Sequence, residues 1–432
     1  MPYIAEGAYG CVFSPPLKCI NNKKTTSKQA GKIFNNSNSM KEEKELSEKI
    51  NNIDPNSKWT VSYYGSCFVN VNETKSTDNI NKCTKYVKDI PITEQLIYKN
   101  GGIDLKHFIN NIGLLNDNLF IDDLIPLFYP LLKGLITLKH KQLAHCDIKP
   151  PNILYNLVES KLYIIDFGLA TPYKQISSSS HYFVLNHTYP YYPPEFKIYT
   201  QLILQRKTTV NINKLLTNYN TYISTNFFDF MSKYIDIPLQ IEQFAIKCQK
   251  NKDVFKHKFK TEYVSKIDVF SLGMTFVEMF YKLSSKSQIQ FKNKEFFDDF
   301  MKFVIIPMIN IDADERYDAI KACKIFKILL KKYNIKTDSS SLASSIKIPA
   351  SSCIKLKRTE IVALLKKQNK TVYGNKSVLC DRLNNIIKSP KITTTAHKNC
   401  EKLKGVEIKQ LLKKQNKPVY GTKKVMCERL LK

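Results

Sequence analysis

Residues 145–152 read HCDIKPPN and bring a carboxylate (Asp147), an ammonium (Lys149) and a carboxamide (Asn152) into one short segment. Downstream, YIIDFGLA sets Asp166 at the end of a β-type apolar run, two residues before the flexible Gly168. Two aspartates and an asparagine are hard oxygen donors of the kind that hold Mg²⁺ between phosphate oxygens. Nearer the start, IAEGAYGCVF (residues 4–13) is a glycine-rich turn between two β-prone runs. Gly7 and Gly10 would let the backbone approach phosphate without a Cβ in the way. Lys32, in the short apolar run AGKIF, adds a cation. Taken singly, each has an ordinary explanation: a hairpin turn, a solvated strand lysine, a polar surface loop. As an ordered set they point to chemistry on terminal phosphates, where positioning and charge neutralisation outweigh covalent help.

Such residues need a scaffold that brings distant segments together. At 432 residues the chain has room for roughly two to three domains and a sizeable core. A composition of 43% hydrophobic and 11% aromatic residues is that of a globular protein rather than a disordered one. The opening MPYIAEGAYG lacks the basic stretch and apolar run of a signal peptide. No window approaches the roughly 18 uninterrupted apolar residues of a spanning helix. Eleven cysteines are scattered without a CxxC pair or zinc-ligand spacing. They predict an intracellular, reducing compartment, with the free thiols serving mostly as small buried hydrophobes. Residues 1–336 alternate apolar runs with turns and long helical patterns. Residues 337–352 (TDSSSLASSIKIPASS) are Ser-rich and free of aromatics, which reads as a linker.

Over about residues 1–336 the chain resembles the eukaryotic-type protein kinase family. The glycine loop, the strand lysine, the catalytic loop and DFG follow in the family's order. TYPYYPPE (residues 188–195) is similar to the segment ending in A-P-E, and IDVFSLG (residues 267–273) to the D-x-W-S-x-G helix start. Arg316, in DADERYDA, is similar to the late arginine that pairs with the APE glutamate, here Glu195. The resemblance implies an α+β, bilobal protein-kinase fold: a small β-rich N-lobe and a larger helical C-lobe. It implies ATP and Mg²⁺, with Mn²⁺ as a substitute.

Residue by residue, the resemblance implies that Lys32 holds the α/β-phosphates and pairs with a helix glutamate, Glu45 ahead of Glu42 or Glu48. Asp147 would accept or orient the substrate hydroxyl proton, Asn152 and Asp166 would hold the metal ions, and Asp268 would brace the catalytic loop. Ala5, Gly7 and Gly10 would form the phosphate loop, and Val12, Ala30 and Leu154 the adenine sandwich. Leu96 would be the gatekeeper and Ile97 to Lys99 the hinge, with Asp104 reaching the ribose. Lys149 follows the D-x-K-x-x-N form of serine/threonine kinases, so protein Ser and Thr hydroxyls are the implied acceptors.

Some positions depart from the family pattern. Ala5 replaces the first loop glycine. Cys146 replaces the arginine of H-R-D, which usually receives an activation-loop phosphate, so constitutive or partner-controlled activity is expected despite the serine run at 177–180. An insert at about 197–262 lengthens the C-lobe. A spare N-lobe, the NGG hinge and abundant Lys, Asn and Ile suggest a kinase of a large eukaryotic DNA virus, acting in the cytoplasm or nucleus of a host cell or in the virion.

The formal charge of +29 implies an acidic partner. Residues 353–432 hold 21 Lys+Arg against 5 Asp+Glu, a density that compositional bias alone would not concentrate there. They also contain a repeat: LKRTEIVALLKKQNKTVYGNKSVLCDRL from Leu356 and LKGVEIKQLLKKQNKPVYGTKKVMCERL from Leu403. Each reads as a small helix–loop–helix module, one at 353–388 and one at 400–432, joined by a linker at 389–399. Both resemble the SAP motif, a short DNA-binding module. Lys366, Lys367, Lys370, Lys376 and Arg382, with Lys413, Lys414, Lys417, Lys423 and Arg429, are the candidate phosphate contacts; a solvated basic face is the plainer alternative. Cys380 and Cys427 recur at matched positions and read as small core residues. Two functions are therefore in contention: an active serine/threonine kinase recruited to DNA or DNA-bound substrates by its tail, or a pseudokinase scaffold whose operative part is the tail.

Overall fold

The computed structural model of the chain describes residues 3–7, 10–20, 24–71, 82–84, 91–115, 120–176, 190–216, 225–284 and 291–335, with eight helical positions in the tail. The chain divides into two compact units, Met1–Ser352 and Cys353–Lys432.

The first unit opens with a five-stranded antiparallel sheet in the order β1-β2-β3-β5-β4. Its strands are β1 (Tyr3–Glu6), β2 (Gly10–Phe13), β3 (Gln29–Phe34), β4 (Tyr63–Asn70) and β5 (Ile92–Lys99). One face buries Phe13, Leu17, Ile33, Val69 and Ile97 together with four cysteines. Helix α1 (Ser37–Ile53), capped by Asn36 accepting from the Ser39 N–H, packs against the sheet. The free thiols expected here are instead two disulfides, Cys11–Cys83 and Cys19–Cys67, with Cα separations of 5.9 and 5.8 Å. Cα atoms this close are within disulfide reach. The partners stand 72 and 48 residues apart in sequence, so only the fold brings them together. Cys146, Cys248 and Cys323 are free and buried, as expected of small hydrophobes.

The helical part follows with α2 (Leu105–Leu115), α3 (Tyr129–His140) and, after the loops of the site, α4 (Glu195–Tyr199). The insert supplies α5 (Thr225–Ser232), α6 (Ile237–Lys250) and α7 (Lys252–Thr261). Helix α8 (Ile267–Ser284) is apolar almost all round and is buried on nearly every side, the mark of a central helix. Phe276 of α8 lies against Phe128, just before α3, with ring centroids 3.7 Å apart. Two further helices, α9 (Lys294–Phe300) and α10 (Ala319–Lys332), close the unit. The insert packs as part of this core: Phe196 of α4, just before it, lies edge-on to Phe259 of α7 at 5.0 Å.

Glu195 and Arg316 form a bidentate pair at 2.5 and 2.9 Å, both side chains fully buried. The Arg316 guanidinium also lies over the Phe270 ring of α8. This pins the start of α4 to the loop before α10.

In the second unit the described positions are helical, and Ile361, Leu365, Leu379, Cys380, Ile408 and Leu412 are buried. Ile361/Leu365 and Ile408/Leu412 are the same i, i+4 pair in the two repeats, one apolar stripe of a helix each time. Cys380 is disulfide-bonded rather than a free core thiol, and its partner lies outside the described residues. Of the ten basic tail residues only Lys376 is described, helical and half-buried. The other nine, Cys427 and the serine run at 177–180 lie outside. Among the described residues no helix is long and apolar enough to cross a membrane.

Removing one partner of a buried ion pair leaves an uncompensated charge, at a cost of about 3–5 kcal/mol. Glu195→Ala should lower unfolding stability by that amount in urea titrations; a loss under about 1 kcal/mol would contradict the pairing.

Candidate active site

The antiparallel register sets Lys32 of β3 opposite Leu96 of β5 and opposite Val12 of β2. The Lys32 ammonium pairs with the Glu43 carboxylate of α1, not with Glu45. The correction follows from helical phase. Glu43, Leu46, Ser47 and Ile50 share the inward face at i, i+3, i+4 and i+7, whereas Glu42, Glu45 and Glu48 are exposed. The Tyr98 hydroxyl donates to the other Glu43 oxygen at 3.2 Å and meets the Ser47 hydroxyl at 2.9 Å, which fixes the carboxylate.

The catalytic-loop candidates are held from behind by Asp268, at the start of α8. Its two oxygens accept the His145 N–H at 2.7 Å and the Cys146 N–H at 2.9 Å. Burial pushes the Asp268 carboxyl up to about 6, and the two N–H donors oppose that shift. The Tyr192 hydroxyl donates to Cys146 O at 2.8 Å. Cys146 itself sits at φ 67°, a left-handed conformation that L-residues other than glycine seldom adopt. Its buried thiol, with its pKa pushed well up by burial, takes the place of a guanidinium.

His145 is a structural member of the loop. Its Nδ1 accepts the Asp147 N–H at 3.2 Å, so Nε2 carries the proton and donates to Ile165 O at 3.1 Å. Burial pushes its pKa down to about 4 and keeps the ring neutral. The ring lies 4.5 Å from that of Phe167, immediately after Asp166.

Asp147 is nearly buried and its carboxylate is held in place. The Asn152 side-chain N–H₂ donates to Asp147 O at 2.8 Å and to Oδ2 at 2.7 Å, while Lys149 Nζ lies 2.9 Å from Oδ2. Burial pushes the Asp147 carboxyl up and Lys149 opposes it. With its nitrogen committed, Asn152 is left with a carbonyl oxygen as acceptor. Ile165 N–H donates to Asn152 O at 2.9 Å, which ties this segment to the strand leading into Asp166. Asp166, at φ 64° and ψ 69°, presents an exposed carboxylate. A carboxamide oxygen and a carboxylate fit the hard-donor requirement of a divalent ion bridging phosphates.

Packing contacts also join the sheet side to this region. Helix α1, which carries Glu43, packs against the 3₁₀ turn Phe167–Leu169. Trp59, the single tryptophan, lies edge-on to Phe167 at 6.2 Å and so close to Gly134 of α3 that a Cβ there would sit 2.5 Å from the indole. Asp54 holds the Trp59 segment by accepting the N–H groups of Lys58, Trp59 and Thr60 at 2.9 to 3.0 Å. Asp54 and Trp59 were not anticipated. Their signal was an acidic residue at a helix end followed closely by the lone Trp.

The nucleotide cleft departs from expectation in places. Val12, Ala30 and Leu154 are half-buried apolar side chains, and Leu96 and Ile97 are fully buried. Ala5 lies in β1 opposite Val12. The Gly7 N–H donates to Gly10 O at 2.8 Å, which closes the turn. Gly10 is required by the sheet, since a Cβ there would lie 1.9 Å from Ile33 O. In the expected hinge, the Lys99 N–H donates to Ser62 O at 2.8 Å, and the Lys99 ammonium pairs with Glu159. Asp104, expected at the ribose, instead caps α2 by accepting the His107 N–H at 2.8 Å and contacts the His107 ring at 2.7 Å. Both groups are drawn off by nearer donors or acceptors of the same chain.

With this geometry in view, residues 2–207 match the family model of the protein kinase domain. The β-sheet region followed by a helical region fits a bilobal kinase fold. No curated protein matches the chain.

A charge-assisted hydrogen bond is worth about 1.5–3 kcal/mol, so Glu43→Gln should lower phosphoryl transfer about tenfold to a hundredfold. Glu45→Gln should leave it within about twofold; equal losses in steady-state assays would overturn the assignment.

A buried neutral histidine stabilises the fold above the ordinary value of 6.5, and that contribution is lost as pH falls towards 4. Between pH 7 and 5 it amounts to about 2 kcal/mol. Asp268, shifted upward, titrates in the opposite sense and masks part of the change. The stability of wild type minus that of His145→Gln isolates the effect and should shrink by this amount in denaturation at the two pH values.

Proposed function

We propose that the chain is an ATP- and Mg²⁺-dependent protein kinase that phosphorylates Ser and Thr hydroxyls and is recruited to DNA by its C-terminal repeats. The observation that carries the catalytic half is the joint placement of two assemblies in one compact unit. One is Lys32 ion-paired to Glu43; the other is Asp147 held between Asn152 and Lys149 beside Asp166. Lys32, freed from the full cost of burial by Glu43, is set to meet nucleotide phosphates. Asp147 orients the acceptor hydroxyl and takes up its proton, and its fixed rotamer minimises reorganisation. Asn152 and Asp166 would hold the divalent ion, which supplies charge neutralisation of the phosphates. The contact between Lys149 and Asp147 supports the serine/threonine preference.

The DNA-binding half rests on the charge density of residues 353–432 and on the repeated apolar i, i+4 pairs. Two modules on one chain would gain affinity by acting together. A second reading, the pseudokinase scaffold, is favoured by the engaged Lys99 amide alone.

Radiolabel transfer from ATP to a basic Ser/Thr protein separates the two. Asp147→Asn should lose about a thousandfold, equivalent to roughly 4 kcal/mol of transition-state stabilisation; equal labelling by wild type and variant would support the scaffold. For the tail, DNA affinity should fall steeply with salt. Lys366, Lys367, Lys413 and Lys414 exchanged together for Glu should reduce the log–log slope by about 0.9 per lost phosphate contact; a flat salt response would remove the electrostatic basis.

A further inference from the structure

The segment after Glu195 builds a second cleft whose lining residues include none of those assigned to the phosphate site. Helix α4 runs on as a π-helical turn, Thr200–Leu204, so Lys197, Thr200 and Gln201 lie on one face at i, i+3 and i+4. The chain then reverses. The Gln205 N–H donates to Thr200 O at 2.8 Å, the Lys207 N–H to Gln201 O at 2.9 Å, and the Asn211 N–H to Gln201 Oε1 at 2.7 Å. These bonds fold the following residues back over the helix and bring Lys207 and Lys214 to the cleft walls, beside Gln201 and Gln205.

The chemistry of this cleft is one-sided. Among its seven described lining residues three are lysines and none is acidic. Lys197 is only 4% exposed, whereas Lys207 and Lys214 are exposed at the rim. Burial pushes the Lys197 ammonium down to about 8. Gln201, its Oε1 already used by Asn211, has donors rather than an acceptor left to offer. The position of the cleft is also informative, because Glu195 at the head of the same helix is locked by Arg316. Its base is therefore rigid.

We propose that this cleft binds the terminal phosphoryl group of a phosphoserine or phosphothreonine on a protein partner. A phosphomonoester ends in three oxygens and can enter a recess to meet a buried ammonium with two more at the rim. A phosphodiester of nucleic acid continues on both sides of the phosphorus and fits a flat basic face better. Service of this cleft as a docking point for substrates already phosphorylated rests on the kinase function; the binding itself does not, and is measured without ATP.

The experiment titrates the full-length protein with a phosphoserine peptide, its unphosphorylated twin and inorganic phosphate, followed by calorimetry. The phosphopeptide should bind at least about tenfold more tightly than its twin and be displaced by inorganic phosphate. Lys207→Ala with Lys214→Ala, both at exposed positions, should weaken it about tenfold or more while leaving ATP-dependent labelling of an unphosphorylated substrate unchanged. Lys197→Met should behave likewise if its thermal unfolding matches wild type; if it does not fold, the double variant decides. Equal binding of the two peptides overturns the proposal, whether or not inorganic phosphate binds. So does an unaltered affinity in the double variant, or failure of phosphate to compete. Duplex DNA displacing the phosphopeptide from wild type, with its own affinity lowered in the double variant, would assign the cleft to nucleic acid and overturn it too. If labelling activity is absent yet phosphopeptide binding follows this pattern, the kinase function fails and this proposal stands.

Discussion

A carboxylate in an apolar interior is costly unless its oxygens are satisfied, and Asp268 meets that demand with the backbone of the very loop that carries Asp147. The central helix α8 is buried on nearly all sides, so Asp268 cannot shift without disturbing the core. Its two acceptors hold His145 and Cys146, and they keep Cys146 in a left-handed conformation that an isolated chain would avoid. From there the constraint spreads. His145 fixes the Asp147 amide on one side and Ile165 O on the other, and Ile165 N–H returns to Asn152 O. The polar geometry of the site is thus a closed circuit anchored at one buried acid.

The second lobe of the site is tied in by packing as well as by hydrogen bonds, such as that from the Ile164 N–H to Trp59 O at 2.8 Å. Phe167 touches both His145 and Trp59, and Trp59 fills the space left by Gly134. Glu43 rides on a helix packed against the same turn, so the Lys32–Glu43 pair and the Asp166 region share a boundary. Interiors this dense transmit displacement instead of absorbing it. A change at Trp59 would therefore be felt at both ends of the cleft.

How much of this was legible in the sequence depended on whether the signal was local. Asp147, Lys149, Asn152 and Asp166 stand in two short segments, and the structure brings them into one hydrogen-bonded and electrostatic neighbourhood. Asp268 and the Glu195–Arg316 pair were readable because each sits in a distinctive stretch. Glu43 was missed among four glutamates within seven residues, although the phase shared with Leu46, Ser47 and Ile50 singled it out. The bonding of the hinge was not legible because a backbone amide has no letter of its own: only the folded chain shows Ser62 O in front of Lys99. The disulfides were invisible because the folded arrangement of the chain, not sequence spacing, sets which cysteines meet.

Those disulfides have a consequence for the lobe that holds Lys32. Cys11, Cys19, Cys67 and Cys83 are all at least 96% covered, packed among the apolar side chains of the sheet. Thiol exchange proceeds by attack of a thiolate on a sulfur along an open line of approach. A small reductant meets that line only when the sheet opens. Reduction and loss of structure therefore become a single event, and a folded lobe retains its cross-links even in surroundings whose redox poise would dissolve exposed ones.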